Sequence, residues 1–256
     1  MPELSVVLPC YNCAAQVDRS ISDLSAHLDA RGGSWEIVLV DDGSTDGTGD
    51  VLRDRADETR VVVRSLPENQ GKGRAVAEGM KQARGACRVF TDADLPYRLD
   101  AIDRCADEIL RRGRPAVFGN RLLTTSDASA QPPLRRWAGR IVRTAMGTLL
   151  GRRDVDTQCG LKAFSGPLAD ALFPMLQIDG FLFDAEATLL LTRAGVPISF
   201  VPVELGTQSS STVHFARTGL MTLREAWRIR RIRGERPDLS RLEAAAGLSS
   251  QGKANT

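Results

Sequence analysis

The first 120 residues alternate short apolar runs with stretches of helical periodicity, and no other feature restricts the fold as much. Leu4–Leu8, Glu36–Val40, Arg60–Ser65, Arg88–Thr91 and Ala116–Gly119 read as strands rich in valine and other apolar residues. Between them, Ala14–Leu28, Thr48–Ala56, Gly71–Ala83 and Leu99–Arg111 read as helices. Strands that are apolar at successive positions are buried on both faces, and strands joined through helices run parallel. The expected class is therefore α/β, a mostly parallel central sheet flanked by helices. In such sheets ligands bind beyond the carboxyl ends of the strands. The polar segments that follow the strands should converge on that edge.

Those segments carry the candidate chemistry. "FTDADLPY" (90–97) places Asp92 and Asp94 two apart at a strand end, where extended geometry puts them on one face. Two like charges there repel unless a cation joins them, and hard divalent ions take carboxylate and phosphate oxygens together. The competing reading is a turn in which Asp94 or a neighbour caps the next helix. "VLVDDGSTDGT" ends the second strand in Asp41 and Asp42; a carboxylate there accepts hydrogen bonds from a ribose or a base N–H, or else Asx-turn chemistry with Asp46 as an N-cap explains it. The glycines of "ENQGKGRAVAEG" permit close backbone approach, and the helix that follows can hold an anion at its N-terminus. The spacing is not that of a Walker A loop, and "LPCYNC" after the first strand lacks the G-x-G-x-x-G of a dinucleotide site.

Composition removes several classes. A formal charge of +2 gives no global basic field, so nucleic acid is not an expected partner. Five scattered cysteines do not form a disulfide framework. Cys10 and Cys13 have redox spacing, but no second pair exists and the histidines are only His27 and His214, which argues against zinc. Two small half-buried residues in a loop is the expected role of this pair. No signal peptide is read after Met1, and no apolar run approaches the roughly 18–20 residues that span a bilayer. The chain reads as cytosolic, or peripheral on the cytosolic face of a membrane.

Basic charge concentrates in the second half. After a loop at 121–133, Leu134, Trp137, Ala138, Ile141, Val142, Ala145 and Leu149 keep helical spacing, with Arg135, Arg136, Arg140 and Arg143 on the flank and opposite side. A second basic segment, "LREAWRIRRIRGER", occupies 223–236. Each is either a surface helix with a solvated face or a helix lying on an anionic membrane. Residues 237–256 are expected to be a flexible tail.

Taken in order, "VVLPCYN", "VLVDDGSTDGT", "NQGKGRA" and "FTDAD" resemble glycosyltransferase family 2, whose fold is the GT-A nucleotide-diphosphosugar transferase domain. "DTQCGLKAF" (156–164) and "DGFLFDAEATLLLTRAG" (179–195) resemble its dolichyl-phosphate (polyprenyl-phosphate) glucosyl- and mannosyltransferase branch. The resemblance implies one domain over 1–236, with a nucleotide-sugar-binding half at 1–120 and an acceptor half with amphipathic helices at 121–236. It implies an inverting, metal-dependent transfer of glucose or mannose from a nucleotide sugar, UDP-glucose or GDP-mannose, to a polyprenyl phosphate. The alternative is a soluble family member acting on a hydroxyl acceptor. Asp92 and Asp94 would hold Mg2+ or Mn2+. The donor would lie against Pro9, Tyr11, Asn12, Asp41, Asp42, Gly71, Lys72, Arg74, Asp92, Ala93 and Gln158, with Cys159 beside the sugar site. Asp184 and Glu186 would face the acceptor, and Arg121, with Arg217 and the basic helices, would offset phosphate charge. Two positions depart from the pattern: Cys13 stands where relatives carry Glu, and Pro96 where mannosyl-transferring members often carry a third polar metal residue.

Overall fold

A computed structural model describes residues 1–56, 59–123, 159–206, 225, 227–234 and 237–248. Gln158, Arg217 and the basic stretch 134–149 lie outside the described residues. Seven strands form one sheet: β1 (Leu4–Cys10), β2 (Trp35–Asp41), β3 (Val61–Ser65), β4 (Cys87–Phe90), β5 (Ala116–Asn120), β6 (Lys162–Ser165) and β7 (Ile198–Pro202). Helices α1 (Ala14–Arg31), α2 (Thr48–Arg55), α3 (Lys72–Gln82) and α4 (Asp100–Leu110) join the first five strands. Helices α5 (Gly166–Leu172) and α6 (Phe183–Arg193) separate β6 from β7, and a short α7 (Ser240–Ala245) follows.

The strand order is β3-β2-β1-β4-β6-β5-β7. All pairings are parallel except those of β6, which runs antiparallel to both β4 and β5. β1 and β2 are in full register from Leu4↔Trp35 to Cys10↔Asp41, and Val7 pairs with Phe90. The segments after β1, β2 and β4 therefore leave the sheet on one edge. β6 begins on that edge, with Lys162 opposite Phe90 and Phe118, because it runs the other way.

Two cores follow from the period-2 alternation of buried strands. Leu4, Val6 and Leu8 of β1 pack with Val17, Ile21 and Leu24 of α1 and Ile102 and Cys105 of α4. Val7 faces the other way, with Val76 and Met80 of α3, Leu168 of α5 and Leu190 of α6. The tail expectation fails for Ser240–Ala245, which forms a helix against α5 with Leu242 fully buried. An apolar residue at that position holds the segment down despite its small, polar neighbours. Residues 227–234 are helical, with Ile229 and Ile232 buried and Trp227, Arg228, Arg230, Arg231 and Arg233 exposed.

Candidate active site

The loops after β1 and β2 are stitched to each other. Asn12, at φ 48°, donates from its backbone to Ser44 Oγ (3.0 Å) and accepts from the Thr45 amide at Oδ1 (2.8 Å). The Cys13 amide donates to Thr48 Oγ1 (2.8 Å) and the Ala14 amide to Asp46 Oδ2 (3.1 Å). Pro9 lies in β1 opposite Val40, and the Tyr11 ring is half exposed at the edge. Asp46 also accepts from Thr48, so it closes a turn as the Asx reading expected, but it is not the N-cap of α2, a place taken by Gly47.

Asp41 and Asp42 are both buried. Asp41 accepts from the Ser44 amide (3.0 Å) and turns into its own loop, against Gly49. Asp42 accepts from the Gln70 amide at Oδ1 (2.8 Å) and the Gly71 amide at Oδ2 (2.9 Å). Burial raises its carboxyl above the usual range, and the two amides act against that rise. Asp42 thus anchors the glycine-rich loop. The glycines of that loop admit the chain itself: a Cβ at Gly71 would stand 2.5 Å from the Asp179 carbonyl oxygen, and one at Gly73 2.6 Å from that of Ile178. The Arg74 amide donates to the same Asp179 oxygen (3.0 Å), while the Arg74 side chain pairs with Glu78 along α3 (2.9 Å).

After β4 the chain turns through Leu95 at φ 44°, whose amide donates to the Asp92 carbonyl (3.0 Å). The turn reading is correct, but its capping half is not, since α4 starts after Leu99 with no side-chain cap. Asp92 instead pairs with Lys72, the first residue of α3. Burial alone would lower the Lys72 ammonium, but Asp92, Asp184 and Asp94 more than offset it and hold the group above its usual value. Asp94 is raised by burial and then by the charge of Asp92. Ala93 between them is buried, and Gly160 packs so closely that a Cβ there would meet Asp92 Oδ2 at 2.4 Å. Cys159 is buried beside it. Arg121 is exposed after β5, and its charge acts on the buried hydroxyl of Tyr97, which accepts from the Gly160 amide (3.4 Å).

Asp184 and Glu186 part company. Asp184, near the start of α6, lies 3.1 Å from Nζ of Lys162 through Oδ2, and its Oδ1 is buried without a hydrogen-bond partner among the described residues. Burial raises its carboxyl, with Lys162 and Lys72 opposing. Glu186 is fully buried and accepts from the Gln177 amide (2.9 and 3.0 Å) and the Ile178 amide (2.9 Å). It holds the 177–178 backbone rather than facing the cluster around Asp92. Lys162 is the residue that sequence reasoning missed. It is fully buried, donates to the Cys159 carbonyl (2.7 Å), and stands 5.5 and 5.2 Å from the ring centres of Phe90 and Phe118. A lone charge inside the apolar run "GLKAF" was the available signal. Glu225 was missed too: it accepts from the Leu182 amide (3.0 Å) and packs against Gly180.

Cys10 and Cys13 are buried thiols in mutual contact, and none of the five cysteines is in a disulfide. The hydrogen bond between this pair raises Cys10 and lowers Cys13.

Asp92 and Asp94 offer the hard oxygen donors that Mg2+ or Mn2+ requires. Among the described residues no group of three metal-ligating side chains is assembled, so Asp92 and Asp94 are the carboxylates these residues offer to an ion. The donor set fits an ion that keeps waters and takes substrate phosphates as its remaining ligands.

A sheet of this order, with acidic strand ends meeting on one edge, belongs to the GT-A class. Glucosyl-3-phosphoglycerate synthase from Mycobacterium tuberculosis superposes with a TM-score of 0.63 at 22% identity, over 98% of this chain and 82% of that one. Mannosyl-3-phosphoglycerate synthase from Rubrobacter xylanophilus gives 0.66 at 20% identity, over 93% and 77%. The Mycobacterium enzyme has been crystallised with Mn2+, UDP and phosphoglyceric acid. Residues 5–165 match the model of glycosyl transferase family 2, and the chain belongs to that family. The dolichyl-phosphate beta-glucosyltransferase of Saccharomyces cerevisiae is 31% identical over 221 residues, 78% of this chain and 66% of its own length. The undecaprenyl-phosphate 4-deoxy-4-formamido-L-arabinose transferase of Pseudomonas fluorescens is 29% identical over 182 residues, 70% of this chain. The chain spans just under two thirds of the yeast protein and about half (51%) of the Pseudomonas one.

Proposed function

We propose that the chain transfers a hexose, glucose or mannose, from a nucleotide-diphosphosugar to a polyprenyl phosphate, with inversion. The supporting observation is the meeting of Asp92, Asp94 and a lysine-paired Asp184 on one sheet edge, in a chain whose curated relatives carry the names of lipid-phosphate sugar transferases. Tyr11, Asn12 and the Asp42-anchored loop would cradle the nucleoside and diphosphate, with Lys72 and Arg121 adding positive charge. Gln158 belongs to this donor set as a sequence expectation. Asp92 and Asp94 would hold Mg2+ or Mn2+, which supplies Lewis-acid stabilisation of the charge developing on the departing nucleoside diphosphate. A lipid phosphate is ionised at neutral pH, so it attacks the anomeric carbon without a strong base. The preorganised charges of Lys72 and Lys162 then stabilise the approach of a second anion.

A hydroxyl acceptor is the second reading, and one observation favours it: the unpartnered Oδ1 of Asp184, with a carboxyl raised by burial, has the properties of a general base. For the lipid reading, the exposed Trp227 and Phe181 and the arginines of 227–234 supply a surface for peripheral membrane contact on the cytoplasmic side. Among the described residues no helix is long and apolar enough to cross a membrane. The test is transfer of radiolabel from UDP-glucose and from GDP-mannose to a polyprenyl phosphate in detergent, with Mn2+ or with excess chelator. Metal-dependent label in the organic phase supports the reading. Label that stays aqueous on an added sugar or glycerate acceptor supports the alternative.

A further inference from the structure

Lys72 and Asp92 form an ion pair between the start of α3 and the end of β4, at the place where a divalent cation would sit. We propose that Lys72 serves as a resident countercation for Asp92, so that the metal enters together with the donor's diphosphate and not before it. The inference rests on the reading of Asp92 and Asp94 as metal ligands and adds an order of assembly to it.

Three features of the cluster carry it. Among the described residues two carboxylates, Asp92 and Asp94, face the ion, far from the six oxygens of an octahedral site, and Mg2+ gives up its waters reluctantly. One of those two, Asp92, is already neutralised by Lys72. Counting Asp92, Asp94 and Asp184 against Lys72 and Lys162, three carboxylates face two ammonium groups, which leaves one excess negative charge. That is a weak attraction for a doubly charged ion, and the ammonium also repels it at short range.

The backbone around Lys72 favours a switch of partner by the side chain alone. Gln70 and Gly71 are tied to Asp42, and Gly71, Gly73 and the Arg74 amide are packed against residues 178–180. The mobile part is the flexible four-carbon stem of the lysine. A diphosphate arriving beside the N-terminus of α3 gives the ammonium another anion, which frees Asp92 for the metal. Only ion pairs are exchanged, so each charge keeps a partner throughout.

The experiment measures Mn2+ binding by the loss of the free-ion EPR signal, without and with saturating UDP or GDP. The proteins are wild type, Lys72→Met and Lys72→Arg, each checked by melting temperature. Wild type and Lys72→Arg should bind Mn2+ weakly alone and tighten markedly with nucleotide. Lys72→Met should bind Mn2+ at least about tenfold more tightly than wild type without nucleotide, because a repelling charge has gone. It should gain correspondingly less from nucleotide, by the reciprocity of linked binding. Equal Mn2+ affinity of wild type and Lys72→Met would overturn the proposal, as would Lys72→Arg behaving like Lys72→Met. Should Lys72→Met fail to fold, wild type alone decides: Mn2+ affinity unchanged by either nucleotide overturns it. Absence of Mn2+ binding under every condition overturns the metal reading itself, a separate outcome.

Discussion

Replacing Lys162 by Met removes one ammonium and little volume from a position with no solvent exposure. Two groups lose their partner. The Cys159 carbonyl loses a 2.7 Å donor, and Asp184 loses the cation 3.1 Å from Oδ2 while its Oδ1 already has none. Breaking a buried ion pair from one side costs about 3–5 kcal/mol, most of it the stranded charge. The loss should therefore depend on pH, and its sign is fixed. Burial already raises the folded Asp184 carboxyl above 3.8, and without Lys162 it rises further. A folded acid that keeps its proton after the unfolded chain has released it loses stability as pH rises, at about 1.4 kcal/mol per pH unit, until the folded carboxyl ionises. The variant's deficit relative to wild type should thus be smaller at about pH 5 than at about pH 8. Adding Asp184→Asn removes the stranded charge, so the double variant should be more stable than the sum of the single changes by about 0.5–3 kcal/mol. Urea unfolding followed by tryptophan fluorescence, with buried Trp35 as a reporter, measures all three variants. A loss under about 1 kcal/mol for Lys162→Met at neutral pH, or a deficit that shrinks as pH rises, would refute the argument.

Asp94→Asn should abolish metal-dependent turnover while leaving the melting temperature near that of wild type; full activity, or activity unaffected by chelator, would count against the metal role. Gly71→Ala should cost about 1–3 kcal/mol and weaken nucleotide binding, since φ +106° and the Asp179 carbonyl at 2.5 Å both oppose a Cβ; calorimetric titration with UDP or GDP checks it. Glu186→Gln should lose about 1.5–3 kcal/mol of stability with a modest effect on kcat, because this carboxylate serves backbone amides; a collapse of kcat at unchanged stability would restore it as a base. Replacing Arg136, Arg140 and Arg143 together by Gln should sharply reduce flotation with anionic liposomes at low salt, at about 1 kcal/mol per arginine; equal flotation of both proteins would remove the membrane role of that sequence.

The first half of the fold was legible because parallel strands buried on both faces leave continuous apolar runs in the chain. All five strands and four helices expected before residue 120 are present, with no end shifted by more than three residues. β6 and β7 carried no such signal. β6 is four residues long and opens with a buried lysine, and β7 is half exposed and ends in proline. Their place in the sheet depends on pairing across long separations in sequence, which local pattern does not encode. The acidic strand ends were legible as a convergence, but their partners were not, since Lys72–Asp92 and Lys162–Asp184 each join distant segments. One distinction was within reach of elementary geometry. In an extended chain residues two apart share a face, which is what singles out Asp92 and Asp94 in the sequence, but β4 ends at Phe90 and the two lie in the turn that the Leu95 amide closes onto the Asp92 carbonyl. On a helix, residues two apart do not face each other. Asp184 and Glu186 both lie in the first turn of α6, so only one of them could point to the sheet edge. The one that points away takes up the amides of the preceding loop, the loop that lies on Gly71 and Gly73. At the start of α6 that spacing separates a carboxylate paired with Lys162 from one that holds backbone.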